Sequence, residues 1–241
     1  MQPTVVHLFW AYGDLSTLER MACRSFASQG YRTVLWTYGD IGNTPATVEV
    51  RNARDILPES RVFKYRNGSY AGFSNLFRYA VLSRFGGLYA DMDVVCLTPA
   101  SELGATPFLV SERTPRGPGI SVTNSVIFDP SPTRGDIIDL AFAFSERFPV
   151  EKQRWGDCGP RLLNSLAATY PRIAFKIQAP DFANPVPYWE CPRHLLEPGA
   201  RLPDESRFLH CYNEMWRRAG ADKDAAFPSG SIMAELADRF L

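Results

Sequence analysis

The chain has 241 residues, 45% of them hydrophobic and 22% charged, and its 26 basic and 26 acidic side chains leave a formal charge of zero. That length holds a sizeable α/β core, and the composition excludes a disordered chain. The charge balance excludes the basic face that nucleic-acid binding requires.

No apolar window reaches the length of a membrane span. The first residues lack the basic-then-apolar pattern of a leader. The chain therefore reads as cytoplasmic, with any membrane contact peripheral. Its five cysteines (Cys23, Cys96, Cys158, Cys191, Cys211) are odd in number and form no CxxC pair. Free thiols in a reducing compartment are expected, not a zinc site or a disulfide framework.

Thr4–Trp10 is apolar and rich in β-formers, which predicts a buried strand. Ser16 and Glu19 have capping-box spacing, apolar positions recur at helical intervals to Phe26, and Gly30 stands where a helix-ending glycine belongs. Arg32–Tyr38 is the next strand, giving a β-α-β unit. Gly39–Pro45 is a loop, Val48–Asn52 a short strand, Asp55–Pro58 a turn, Arg61–Tyr65 a further short strand and Arg66–Gly72 a loop. Phe73–Phe85 is apolar around most of a helix circumference, so that helix is buried. Gly86 and Gly87 end it, and Leu88–Leu97 reads as one strand broken by Thr98 and Pro99.

Phe108–Glu112 and Val122–Phe128 are strands on either side of a flexible Gly/Pro-rich insertion, Arg113–Ser121. Arg134–Phe148 is a helix, Trp155–Pro160 a sharp loop, and Arg161–Thr169 a helix with Pro160 at its first turn. Ile173–Ile177 is a strand, Pro180–Pro203 an irregular proline-rich stretch, Arg207–Cys211 a last strand and Ser229–Phe240 a terminal helix. One domain, 1–241, is expected.

The chemistry concentrates in Phe73–Leu97. With a strand period of two, Tyr89, Asp91 and Asp93 point to one side. Two carboxylates ending a buried strand repel unless a cation joins them, and hard oxygen ligands suit Mg2+ or Mn2+. Asn75 and Arg78 share one face of the preceding helix. A buried Arg78 needs a partner, either a core carboxylate or an anionic or hydroxyl-rich ligand.

Residues 73–97 resemble the signature of the DXD-motif sugar transferases, the family of yeast initiating α-1,6-mannosyltransferase and the clostridial glucosylating toxins. The resemblance rests on Ser74, Asn75, Arg78, Tyr79, Gly86, Gly87, Tyr89, Asp91 and Asp93. The segment His7–Trp10 resembles the family's first strand. Looser likeness extends to Trp155–Pro160 and Leu209–Asn213.

The resemblance implies an α/β, single GT-A (Rossmann-like) domain with a mostly parallel central sheet flanked by helices. Residues 1–97 would form the nucleotide-sugar half and 98–241 the acceptor-side half. It also implies a metal-dependent, retaining hexosyltransferase. The donor would be a nucleoside-diphosphate sugar, a UDP-sugar favoured over a GDP-sugar, and the acceptor a saccharide or glycoconjugate hydroxyl.

Asp91 and Asp93 would hold the metal and donor, with His210 completing the metal site. Arg78 would contact the donor sugar, and Trp10, after Phe9, would stack on the base. Tyr89 is assigned to the donor pocket, and Asn124 either lines that pocket or is an edge residue. Asp157 reads either as an exposed turn residue or as an acceptor-side or sugar-binding carboxylate with a catalytic role. Asn75 stands where the family carries Asp, which puts sugar selectivity in question. No carboxylate nucleophile is identified, so a front-face route without a covalent intermediate is favoured.

Two rival readings remain at this level. Asp91 to Val95 also fits the Asp-x-Asp of haloacid-dehalogenase-like phosphatases, although residues 94–134 contain no Lys. Alternatively, Asn75 marks an inactive nucleotide-sugar-binding protein.

Overall fold

The β-α-β start forms as predicted. The computed structural model describes residues 4–170 and 175–241, and in it β1 (Val5–Phe9) and β2 (Arg32–Thr37) pair in parallel around α1 (Thr17–Ser28). The Ser16 amide donates to Glu19 Oε2 at 2.8 Å, closing the expected capping box. β3 (Glu49–Asn52) adds to β2 in parallel. Arg61–Tyr65 is not a strand: the chain makes a one-turn 3-10 helix at Glu59–Arg61 and then runs irregularly.

α2 (Ala71–Phe85) is the buried helix. Gly86 and Gly87 follow it at φ 64° and 94°. A Cβ on Gly86 would lie 2.8 Å from Asp129 O, and one on Gly87 2.8 Å from Val5 O. Both positions therefore demand glycine for backbone angle and for space.

The expected strand Leu88–Leu97 is instead two strands in two sheets. β4 (Gly87–Ala90) lies in the main sheet, and β5 (Val94–Cys96) pairs with β9 (Phe208–His210) in a small antiparallel one. Between them the Val94 amide bonds Asp91 O at 3.0 Å, a tight turn that carries the chain from one sheet to the other. Asp91 and Asp93 thus converge at a corner, not by strand alternation.

β6 (Phe108–Arg113) and β7 (Ile120–Asp129) extend into the segment expected to be flexible. Arg113 pairs with Ile120, and the Thr114 amide bonds Gly119 O at 2.9 Å, so the insertion is the tip of a hairpin. α3 (Ile137–Arg147) and α4 (Pro160–Thr169) follow, then β8 (Lys176–Gln178). Ile173 and Ala174 of the expected strand lie outside the described residues. The Pro180–Pro203 stretch contains two single-turn helices, α5 (Pro180–Ala183) and α6 (Arg193–Leu196). α7 (Asn213–Ala219), which no sequence signal had marked, follows β9, and α8 (Ile232–Phe240) ends the chain.

The main sheet has the order β3-β2-β1-β4-β7-β6-β8 and is mostly parallel, with β7 antiparallel to both neighbours. Strand alternation sorts its side chains into two cores. Phe9, Trp36, Tyr89 and Ile127 face α2, α3 and α4, while Val6, Leu8, Leu88 and Val126 face α1 and the small sheet. Among the described residues, no helix is long and apolar enough to cross a membrane.

Candidate active site

A cleft of about 990 Å3 opens at the carboxyl ends of β1 and β4, beside the corner that carries Asp91 and Asp93. Sites in α/β sheets recur at such strand ends. Three elements converge there: the corner, α2 beneath it, and the β9–α7 connection.

The corner is fixed from two sides. The Asp91 amide donates to Ser125 O at 2.8 Å, and the Cys211 amide donates to Asp93 O at 2.8 Å. The Asn213 amide donates to Asp93 Oδ2 at 2.5 Å. His210 enters from β9, its Nε2 3.5 Å from Asp93 Oδ1 and its Nδ1 3.0 Å from Asn184 Oδ1. One ligand atom each from Asp91, Asp93 and His210 lies within 4.8 Å of the others. Two carboxylates and an imidazole form a donor set that suits Mn2+.

Arg78 is 3% exposed and bidentate to Asp91, with Nη2–Oδ1 at 2.8 Å and Nη1–Oδ2 at 3.4 Å. It also donates to the carbonyls of Asn124 and, at 3.2 Å, Ser74, and its guanidinium sits 4.9 Å over the Tyr89 ring. Asp91 is thus a partner of the kind foreseen for Arg78, and Arg78 itself also lines the cleft.

The electrostatics separate the two aspartates. Burial pushes the Asp91 carboxyl above its ordinary range, and Arg78 pulls it back only in part. Burial also works upward on Asp93, but His210 and the Asn213 amide outweigh it and hold that carboxyl below its usual range. His210 is raised, because Asp93 and Asp91 together overcome its burial.

Asn75 and Asn124 meet in the floor of the cleft. Asn124 Nδ2 donates to Asn75 Oδ1 at 2.9 Å and to Tyr79 Oη at 3.3 Å. Trp10 lies half-buried in the wall, its Nε1 donating to Gly13 O at 2.9 Å. Phe9 also borders the cleft, but its ring stacks on Phe77 at 4.2 Å and belongs to the core. Asp157 is not brought to the cleft. Its oxygens are taken by the Arg154 amide at 2.8 Å and Arg161 Nη1 at 2.9 Å, within its own loop and the first turn of α4. Its neighbours Trp155 and Gly156 do line the cleft.

Four residues join the site that sequence reasoning did not assign: Glu112, Asn184, Tyr212 and Asn213. Tyr212 has φ 55°, unusual without glycine, and its ring packs tilted against His210 with centroids 3.8 Å apart. Tyr212 and Asn213 had a usable signal, since they follow the strand that delivers His210. Asn184 sits inside a proline-rich stretch with no periodicity, and Glu112 simply ends an apolar strand.

Residues 22–109 match the family described as the glycosyltransferase sugar-binding region containing the DXD motif. That span includes Asn75, Arg78, Tyr89, Asp91 and Asp93, while Trp10, Asn124 and His210 lie outside it. No curated protein sequence matches the chain. Among solved structures, the glycosyltransferase GlyE of Streptococcus pneumoniae TIGR4 is 14% identical with a TM-score of 0.51, covering 99% of this chain and 63% of that one. The galactosyltransferase LgtC, solved with donor and acceptor sugar analogues, is 12% identical with a TM-score of 0.50, covering 98% and 96%. At such identities the likeness establishes the fold, which is GT-A.

Proposed function

We propose that this chain, a glycosyltransferase with a DXD-type sugar-binding region, moves a hexose from a nucleoside-diphosphate sugar to a hydroxyl of a saccharide or glycoconjugate, using a divalent cation. The observation that carries the reading is the grouping of Asp91, Asp93 and His210 ligand atoms within 4.8 Å at the foot of the cleft. Mn2+ or Mg2+ there would neutralise charge developing on the departing diphosphate. The phosphatase and inactive-protein readings have no comparable support.

The chain's own residues do the positioning. Arg78 and the Asn213 amide hold the two aspartates in a fixed geometry from opposite sides, which is the pre-organisation that electrostatic catalysis requires. Asn75 and Asn124 offer amide groups to sugar hydroxyls, and Trp10 offers a ring to the base. Asn75 in place of a carboxylate leaves the sugar pocket neutral at that point, and donor choice follows from it. Transfer proceeds with retention by front-face departure and attack, and a UDP-sugar is the favoured donor. The five cysteines are all buried and free, in keeping with a cytoplasmic location.

The test is thermal stabilisation and turnover with UDP-glucose, UDP-galactose and GDP-mannose, with and without Mn2+, for the wild type and Asp93→Ala. Mn2+-dependent binding that the substitution abolishes is expected. Metal-independent turnover insensitive to Asp93→Ala would overturn the mechanism.

A further inference from the structure

Asn184 caps the single turn α5, is 1% exposed, and has no role in the reading above. Its side-chain amide reaches two strands of the main sheet and one of the small sheet. Nδ2 donates to Ser111 O of β6 at 2.9 Å. Oδ1 faces Ser125 Oγ of β7 at 3.4 Å, His210 Nδ1 of β9 at 3.0 Å, and Tyr212 Oη at 3.2 Å.

The chemistry of these partners fixes which way the amide points. Ser111 O is a carbonyl oxygen and only accepts, so the amide nitrogen must stand against it. The amide oxygen is thereby turned towards His210. That oxygen donates nothing, so the proton of the contact sits on His210 Nδ1. A neutral imidazole has one N–H, and placing it on Nδ1 leaves the lone pair on Nε2. Nε2 is the nitrogen on the carboxylate side, 3.5 Å from Asp93 Oδ1. Among the described residues, Asn184 Oδ1 is the one hydrogen-bond partner of Nδ1. Without it, the Asp93 carboxylate would draw the proton to Nε2, where it would cover the lone pair that a cation needs.

Asn184 is itself held firmly. Its backbone amide donates to Pro180 O at 2.7 Å. On either side of it, Arg113 bonds Asp181 and, at 3.2 Å, Pro185 O. Its contact Ser125 is also the residue whose carbonyl accepts from the Asp91 amide.

We infer that Asn184 is a positioning residue of the cation site: its side-chain oxygen holds the His210 proton on Nδ1 and so keeps Nε2 open as a ligand. The inference rests on the cation-dependent reading and adds what prepares the imidazole before a cation arrives. Asn184 acts through His210 and is not placed as a ligand. Partners of this kind, bonded to the far nitrogen of a ligating histidine, set the ring's tautomer and orientation.

The test is proton–nitrogen correlation NMR on the full chain, metal-free and isotope-labelled at the histidine nitrogens, at a pH that leaves the imidazoles neutral. The His210 signals are identified by their loss in His210→Gln. The wild type is expected to carry the proton on Nδ1, and Asn184→Leu to move it to Nε2. Mn2+ affinity, read by electron paramagnetic resonance of free Mn2+, should fall about tenfold or more in Asn184→Leu. Asn184→Asp separates positioning from packing. It loses the bond to Ser111 O, as the leucine variant does, but keeps an acceptor for Nδ1. It should therefore retain the Nδ1 proton and bind Mn2+ at least as tightly as the wild type. A wild-type proton on Nε2, unchanged Mn2+ affinity in Asn184→Leu, or equal losses in both variants would each overturn the inference. The wild-type spectrum and Asn184→Asp decide the matter if Asn184→Leu does not fold. A wild type that shows the Nδ1 proton yet binds no Mn2+ would remove the cation-dependent reading itself, and the inference would fall with it.

Discussion

Buried against Tyr89 and bidentate to Asp91, Arg78 is a structural and an electrostatic residue at once. Removing one member of a buried pair leaves an uncompensated charge, which costs about 3–5 kcal/mol. Asp91 is a quarter exposed at its side chain, so Arg78→Met should sit at the low end, about 3 kcal/mol by denaturant unfolding. Mn2+ should then stabilise the variant more than it stabilises the wild type, because a cation can take over the guanidinium's task. Equal Mn2+ effects on both proteins would mean that Asp91 is not a ligand. Gly159 makes a parallel point by size. A Cβ there would lie 2.9 Å from Asn75 Nδ2, so Gly159→Ala should displace Asn75 and weaken nucleotide-sugar binding roughly tenfold. Nucleotide without the sugar should bind as before, which isothermal titration would resolve.

At the scale of elements, the helix–glycine–strand passage explains both what the sequence revealed and where it misled. α2 was legible because its apolar positions cover the helix circumference, and Gly86 and Gly87 because left-handed angles leave few alternatives. The corner after Ala90 was not legible. Met92, Val94 and Val95 are as apolar as a continuing strand, and what bends the chain is a distant partner, β9.

The same passage contains a liability. Asp129 ends β7 beside Gly86, and its Oδ2 is buried without a hydrogen-bond partner among the described residues. Burial and the neighbouring Asp136 raise its carboxyl to about 6, against roughly 3.9 in an unfolded chain. The folded state thus binds this proton more tightly, and the stability it confers is complete below about pH 3.9 and lost as pH rises through about 6. At pH 7 the ionised Asp129 is a cost. Asp129→Asn should stabilise the protein by about 2 kcal/mol above pH 7 and by nothing below pH 4. A gain independent of pH would show that Asp129 does not titrate in this range.

Across the whole molecule, the site depends on contacts between the two ends of the chain. Sequence periodicity supplied the sheet and the buried helix, but it carries no information about pairs separated by 200 residues. Lys223 is such a case. Its Nζ meets Glu19 Oε1 at 2.5 Å, where Glu19 is wholly buried at the start of α1, and also donates to Asn213 Oδ1 at 3.2 Å. The Asn213 amide in turn holds Asp93. Two effects follow from this one lysine, and they can be separated. Lys223→Met should cost about 3 kcal/mol by stranding the buried Glu19 charge. Adding Glu19→Gln should recover most of that, since a neutral amide keeps the capping-box acceptor for Ser16 without a charge to compensate. The double variant still lacks the donor that fixes Asn213, so its Mn2+ affinity should remain several-fold below wild type. Recovery of metal affinity together with stability would reduce Lys223 to a partner for Glu19. Recovery of stability alone would establish that the chain's C-terminal part sets the geometry of the Asp93 carboxylate.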